Sequence, residues 1–369
     1  MNKIKCYVVI MCLSIIGACI GPEEIKYTKI FEEEGFNIGT SILPIKDGFI
    51  ISGYTFTDNN KEIWLLKIDK NEKEIWRKSY AIEEDYYTQG FLEADDGYVI
   101  SGYIESLEER FSKIVLLKVN KQGEKEWQKE YTGLGHARGG AILSVEDGYI
   151  LAGFTIEDLE SENIGYPLII KIDREGNKQW QKIYEDGNQT VSPICKIDDG
   201  YMIAGSKFSG ADKWDLQLTK IDKNGEKIWS KTYKREGVEW PVSVFSLDDG
   251  FVIAGYSSRH GGDFLLMKVD KNGNETWSKT YDNEDDLPRG ALEIEDGFII
   301  VGVTFPDFEA EKDAFIVKTD REGNEKWQKV YGDEKDQIAY SLCEDNSGFL
   351  IVGATTAKDE GDLLLIKIE

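Results

Sequence analysis

The sequence predicts an all-β fold, a β-propeller of seven four-stranded blades, and three features carry that expectation. A turn followed by an aromatic and apolar run recurs as Asp47-Gly48, Asp96-Gly97, Asp147-Gly148, Asp199-Gly200, Asp249-Gly250, Asp296-Gly297 and Ser347-Gly348, at spacings of 47 to 52 residues. Another Gly stands five residues after each of these, at Gly53, Gly102, Gly153, Gly205, Gly255, Gly302 and Gly353. An apolar run ending in Lys-x-Asp comes next, as in Leu65-Leu66-Lys67-Ile68-Asp69, and a Trp closes the unit at positions 76, 127, 180, 229, 277 and 327. Self-similarity at this period is the signature of blades or stacked repeats, because one unit cannot bury its apolar face alone.

In chain order, the first eighteen residues read as an address. Lys3 and Lys5 precede an uncharged apolar stretch from Cys6 to Ile16, and Ile16-Gly17-Ala18-Cys19 follows as a small-residue cleavage site. This resembles a lipoprotein signal, which implies cleavage before Cys19, lipid on its thiol and a short tether over residues 19–24. The stretch is shorter than the ~20 apolar residues a spanning helix needs. Positive charge before it directs the rest of the chain outward. The expected location is therefore the cell membrane, lipid-anchored, on the extracytoplasmic side.

Residues 25–369 are expected to form one propeller. Tyr27 and Phe31 fall at the Trp and Tyr positions of the repeat Trp327-Gln328-Lys329-Val330-Tyr331, and the C-terminus stops after the third strand of its unit. The strand Ile25 to Phe31 is thus expected beside Leu363 to Ile368, completing the last blade and closing a seven-bladed ring. Each unit holds four strand-length segments separated by Gly-bearing turns, and long helical periodicity is absent. Asp222-Lys223-Asn224-Gly225, with Asp first and Gly fourth, suits a type I turn or a bulged hairpin.

Composition narrows the function classes. With 44 Lys and Arg against 69 Asp and Glu, the formal charge is 44 − 69 = −25, and loss of Lys3 and Lys5 would make it 42 − 69 = −27. Nucleic-acid binding needs clustered basic side chains, so this balance excludes it as an expectation. A mean hydropathy of −0.41 argues against many membrane spans. After the signal only Cys195 and Cys343 remain, both at a repeat position held elsewhere by Leu43, Leu92, Leu143, Phe245 and Leu292. They read as small core residues in different units, too distant for a disulfide.

The run Asp173-Arg174-Glu175-Gly176-Asn177-Lys178-Gln179-Trp180 and its copies resemble the Trp docking motif of PQQ-like quinoprotein propellers. The whole unit is similar to the SBBP-type propeller repeats of exported prokaryotic proteins. The resemblance covers about residues 25 to 369 and implies a scaffold in which Trp joins neighbouring blades. It does not imply the quinone: the vicinal disulfide of that family needs adjacent Cys residues, which this sequence lacks. No cofactor and no metal are expected.

Function is expected on the face carrying the variable loops. Two Trp residues fall there, Trp214 in the segment Ser206 to Asp215 and Trp240 at the end of Lys234 to Trp240, with Phe208, Arg259 and His260 in the same or adjoining units. Aromatic rings beside Arg and His suit stacking and hydrogen bonding to a sugar or a peptide anchor. His136 and His260 are too far apart in sequence to suggest a zinc site, and the acidic loops lack the calcium-loop spacing. No nucleophile elbow, phosphate loop or His-Glu-x-x-His is present. The expectation is a monomeric, non-catalytic module that binds a protein or carbohydrate at the cell surface. An extracellular enzyme, polysaccharide-active or quinoprotein-like, with a site over the central channel stays open as the alternative, as does a purely structural envelope protein.

Overall fold

The structure, a computed structural model, describes residues 25–31, 35–57, 60–82, 85–106, 111–157, 165–184, 193–210, 213–259, 261–282, 285–305, 312–332, 335–357 and 360–369. The signal, Cys19 and the tether lie outside the described residues. The named elements are all strands. In chain order they are β1 (Ile25–Phe31), β2 (Phe36–Ile45), β3 (Gly48–Thr57), β4 (Asn60–Asp69), β5 (Glu74–Ala81), β6 (Asp85–Ala94), β7 (Gly97–Ser106), β8 (Phe111–Asn120) and β9 (Lys125–Tyr131). Then come β10 (His136–Val145), β11 (Gly148–Ile156), β12 (Tyr166–Ile172), β13 (Lys178–Ile183), β14 (Ile194–Ile197), β15 (Gly200–Gly210), β16 (Lys213–Asp222), β17 (Lys227–Tyr233), β18 (Glu239–Leu247), β19 (Gly250–Ser257), β20 (Asp263–Asp270) and β21 (Glu275–Tyr281). The last are β22 (Asp285–Ile294), β23 (Gly297–Phe305), β24 (Asp313–Thr319), β25 (Glu325–Tyr331), β26 (Asp336–Asp345), β27 (Gly348–Ala357) and β28 (Glu360–Ile368).

The chain divides into two compact units, one of Met1–Ala81 with Asn283–Glu369 and one of Ile82–Asp282. The second holds four antiparallel four-stranded blades, β6-β7-β8-β9, β10-β11-β12-β13, β14-β15-β16-β17 and β18-β19-β20-β21. The first holds the blade β22-β23-β24-β25 and one eight-stranded sheet, β26-β27-β28-β2-β3-β4-β5 with β1 on β28.

The architecture is an all-β propeller with four-stranded blades, but the expected seven blades are corrected by the pairing: five four-stranded blades stand separately, not seven. The remaining strands share one sheet because a parallel bridge joins Phe36 of β2 to Gly361 of β28. Periodicity counts repeats and carries no information about a backbone bridge between the first strand of one repeat and the third of another. Related approaches occur at Trp214 with Val238 and from Gln337 N–H to the Lys312 carbonyl at 2.6 Å, where the sheets stay separate. β1 runs antiparallel to β28, with Phe31 opposite Leu363 and Ile25 opposite Ile368.

The repeated residues have repeated physical tasks. Second and third strands are buried on both faces, and their side chains merge into clusters between neighbouring blades, such as Met202, Leu216 and Leu218 against Val244, Ile253 and Met267. In five repeats a Lys near the end of the third strand reaches the Asp of the Asp-Gly turn: Lys67 to Asp47 at 2.9 Å, Lys171 to Asp147 at 2.7 Å, Lys220 to Asp199 at 2.8 Å and Lys268 to Asp249 at 2.6 Å, with Lys118 on Asp96 likewise. Those Lys hydrogen bonds hold the Asp carboxyls below their ordinary range. The carboxylates are mostly solvent-facing, so each pair fixes turn geometry more than it adds stability.

The closing Trp and Tyr of one blade grip the Gly turn of the next. Tyr131 Oη donates to the Gly176 carbonyl at 2.7 Å, Tyr184 to Gly225 at 2.7 Å and Tyr233 to Gly273 at 2.8 Å. These glycines have φ of +78°, +79° and +74°, and a Cβ on Gly225 would stand 2.8 Å from Trp180 Cζ3. Glycine is needed there twice over, for the left-handed turn and for the approach of the ring. The corresponding turn after β4 has Glu72 instead, at φ +57°, the sole non-Gly residue with positive φ among the described residues. Glu72→Gly is expected to stabilise the protein by about 0.5–1 kcal/mol, the relief of left-handed strain less the added freedom of the unfolded chain. Urea unfolding checks this, and a loss of stability would show that the buried Glu72 side chain outweighs the strain.

Cys195 and Cys343 are both free, and burial pushes both thiols up to about 12. A thiol so far from its thiolate is a poor nucleophile at neutral pH.

Candidate functional site

The predicted binding residues converge where β18 begins. After β17 the chain turns at Gly237, whose φ is +95° and whose added Cβ would stand 2.6 Å from Ser258 Oγ. Val238 is then clamped from both sides. Its N–H donates to Ser258 Oγ at 2.8 Å, its carbonyl accepts from Ser258 N–H at 2.9 Å, and it bridges in parallel to Trp214 on β16. Arg259 follows Ser258 directly and is exposed, so Trp214, Trp240 and Arg259 are brought to one corner of their unit. His260 lies outside the described residues.

Neither Trp sits in a loop. The hairpins extend further than their sequence suggests, so Trp214 lies in β16 opposite Phe208 and Trp240 in β18 opposite Tyr256. The Phe208 and Trp214 rings are tilted by 60° at 5.3 Å, whereas Trp240 and Tyr256 are stacked at 5.3 Å with 23° between planes. Trp240 is 43% exposed, so one aromatic surface of the pair meets solvent. Sequence reasoning missed Tyr256. Its signal was present, since Tyr54, Tyr103, Phe154 and Tyr256 each follow a repeat Gly directly.

Alternation along β18 turns Glu239 the other way, and it is only 1% exposed. Arg235 Nε lies 3.5 Å from its Oε1, but that guanidinium is shared: Nη2 is 2.7 Å from Glu275 Oε1 and Nη1 donates to Ser278 Oγ at 3.1 Å. Burial pushes the Glu239 carboxyl up to about 7; Arg235 and the Leu216 N–H counter this in part, and Asp215 and Glu275 add to it. Asp215, itself buried, accepts from the Arg235 backbone N–H at 3.1 Å and from Ser209. The corner thus combines an exposed aromatic rim with a buried acid whose carboxyl burial pushes up toward neutrality.

Among the described residues no group of three or more His, Cys, Asp or Glu is placed to hold a metal ion. His136 Nδ1 accepts from the Ser112 N–H at 3.3 Å, and Arg138 pairs with Glu105.

No protein-family model and no curated protein matches the chain. Among solved structures it is similar to BBS1N in complex with ARL6DN, with a TM-score of 0.54 and 10% identity over 91% of this chain and 93% of that one. A subtype N10 neuraminidase-like protein of A/little yellow-shouldered bat/Guatemala has a TM-score of 0.49 and 10% identity, covering 94% of this chain and 100% of that one. A quinohemoprotein alcohol dehydrogenase from Pseudomonas putida has a TM-score of 0.49 and 10% identity over 89% of this chain and 66% of that one. The first likeness bears on fold alone, and the other two are too distant to carry an argument about ligand or activity.

Proposed function

We propose that this chain is a lipid-anchored extracytoplasmic propeller of SBBP-like repeats that binds a glycan or polypeptide at the cell surface and performs no chemistry on it. The exposed stack of Trp240 on Tyr256 is the observation that carries the reading. Buried Trp needs no such exposure to pack a blade, and a large rigid ring at a rim is the residue type that dominates binding energy. Trp214, Phe208 and Arg259 extend the same corner, and Cys19 supplies the anchor in this reading.

Trp240→Ala is expected to weaken capture of the cell-surface ligand about thirtyfold, the ~2 kcal/mol of a hot-spot Trp, while leaving the melting temperature nearly unchanged. The assay is retention of cell-wall glycans and surface proteins on the immobilised domain, wild type beside variant. Equal retention by the two would remove Trp240 from the ligand site. The enzymatic alternative finds one suggestive feature, a carboxyl poised near neutral pH at Glu239, but a side chain buried to 1% exposure is out of substrate's reach.

A further inference from the structure

We propose, building on that reading, that the ligand is a neutral polysaccharide chain and that Tyr87 with Tyr103 forms a second platform equivalent to Trp240 with Tyr256. The equivalence is one of register. Tyr87 pairs with Tyr103 immediately before Thr88 meets the repeat glycine Gly102; Trp240 pairs with Tyr256 immediately before Pro241 meets Gly255. The two pairs therefore occupy the same place in two blades of one unit, where the first strand begins. Both are stacked, at 4.9 Å and 18° for the tyrosines against 5.3 Å and 23° for Trp240 and Tyr256.

The scaffold does not require aromatic rings at this place. Other blades fill the same paired positions with Leu287 and Val303, or with Ile338 and Ala354. A stacked pair instead presents a flat, rigid apolar face, the shape that matches the C–H face of a pyranose ring. Polar groups flank the tyrosine pair in the manner a sugar needs. Arg138 pairs with Glu105, and both are close enough to Tyr103 to act on its hydroxyl electrostatically, which burial shifts upward in the first place. Guanidinium and carboxylate together offer donors and acceptors to ring hydroxyls without a net charge.

That pairing also selects against anionic polymers. Arg138 already has its counter-charge in Glu105, and the formal charge of the whole chain is −25, so a polyanion approaching this unit meets long-range repulsion. The blades β10-β11-β12-β13 and β14-β15-β16-β17 separate the two platforms, so a chain long enough to pass both can occupy them together and a single sugar cannot.

The test uses the full mature chain against immobilised neutral linear hexasaccharides of glucose, mannose, galactose, xylose and N-acetylglucosamine, with hyaluronan and a basic peptide as competing classes. Tyr87→Leu/Tyr103→Leu copies the aliphatic filling of the other blades, so it keeps the fold, which its melting curve verifies. The expected result is binding of at least one neutral hexasaccharide, insensitive to salt and weakened about tenfold or more by Tyr87→Leu/Tyr103→Leu and by Trp240→Ala separately. Unchanged affinity in the tyrosine variant overturns the second platform. If no neutral hexasaccharide binds while Trp240→Ala still abolishes capture of a surface polypeptide, the polysaccharide assignment falls and the binding-module reading survives. Indifference of every probe to Trp240→Ala sinks both.

Discussion

Replacing Trp64 by Ala is expected to cost about 3–5 kcal/mol, the range for emptying a large buried aromatic site. Trp64 is 1% exposed in β4 and belongs to the cluster of Ile42, Ile51 and Leu66 with Leu350, Val352 and Leu363. Those residues come from both halves of the eight-stranded sheet, β2 to β4 on one side and β27 with β28 on the other. Among the described residues the backbone joins the halves through the one bridge at Phe36 and Gly361, so apolar contact across them does most of the joining. The ring also lies over Gly53, where an added Cβ would stand 2.3 Å from Trp64 Cζ2, and under the Arg77 guanidinium at 5.5 Å. Collapse into the vacated volume would need movement of sheet backbone, which keeps the cavity open and the cost high. Urea unfolding of Trp64→Ala beside Trp64→Phe measures it. A loss below about 1 kcal/mol would mean that the two halves are not held by this cluster.

The strands were legible in the sequence because they depend on local chemistry. Apolar runs of strand length bounded by Gly-bearing turns recur in nearly every repeat, and they place β15, β16 and β17 without any partner strand. The blade count was not legible. It depends on whether Phe36 and Gly361, 361 − 36 = 325 positions apart, share a backbone bridge, and neither residue has a side chain that announces it. The Lys and Asp staples sat in plain view as Lys-x-Asp and Asp-Gly, yet spacing alone shows them as two turn signals and not as one contact such as Lys220 to Asp199. The candidate site divides in the same way. Trp214, Trp240 and Arg259 stand out by residue type, whereas Glu239 looks like one of many acidic residues until burial distinguishes it. Strand alternation was the missing step: once Trp240 is placed facing outward, its neighbour must face the packed interior.

Glu239 leads to the second large effect, on the pH dependence of stability. Its carboxyl titrates near 7 in the folded chain against an ordinary value of 4.5, so the folded state binds the proton more tightly than the unfolded state does. Below pH 4.5 both states are protonated and this group opposes folding least; as pH rises through 7 that advantage is lost. The difference, 7 − 4.5 = 2.5 pH units, corresponds to about 3 kcal/mol at 1.36 kcal/mol per unit. Asp47, Asp96, Asp147, Asp199 and Asp249 act in the opposite sense, because their lowered carboxyls favour the folded state above their ordinary 3.8 and lose that contribution in acid. Glu239→Gln isolates the one from the others. The amide has nearly the shape of the protonated acid and carries no charge at any pH, so the variant is expected to match wild type near pH 5 and to melt several degrees higher at pH 8. Melting temperatures of both proteins from pH 4.5 to pH 8.5 decide it. Parallel curves would show that Glu239 is already ionised in the folded state at neutral pH, with Arg235 compensating its burial fully.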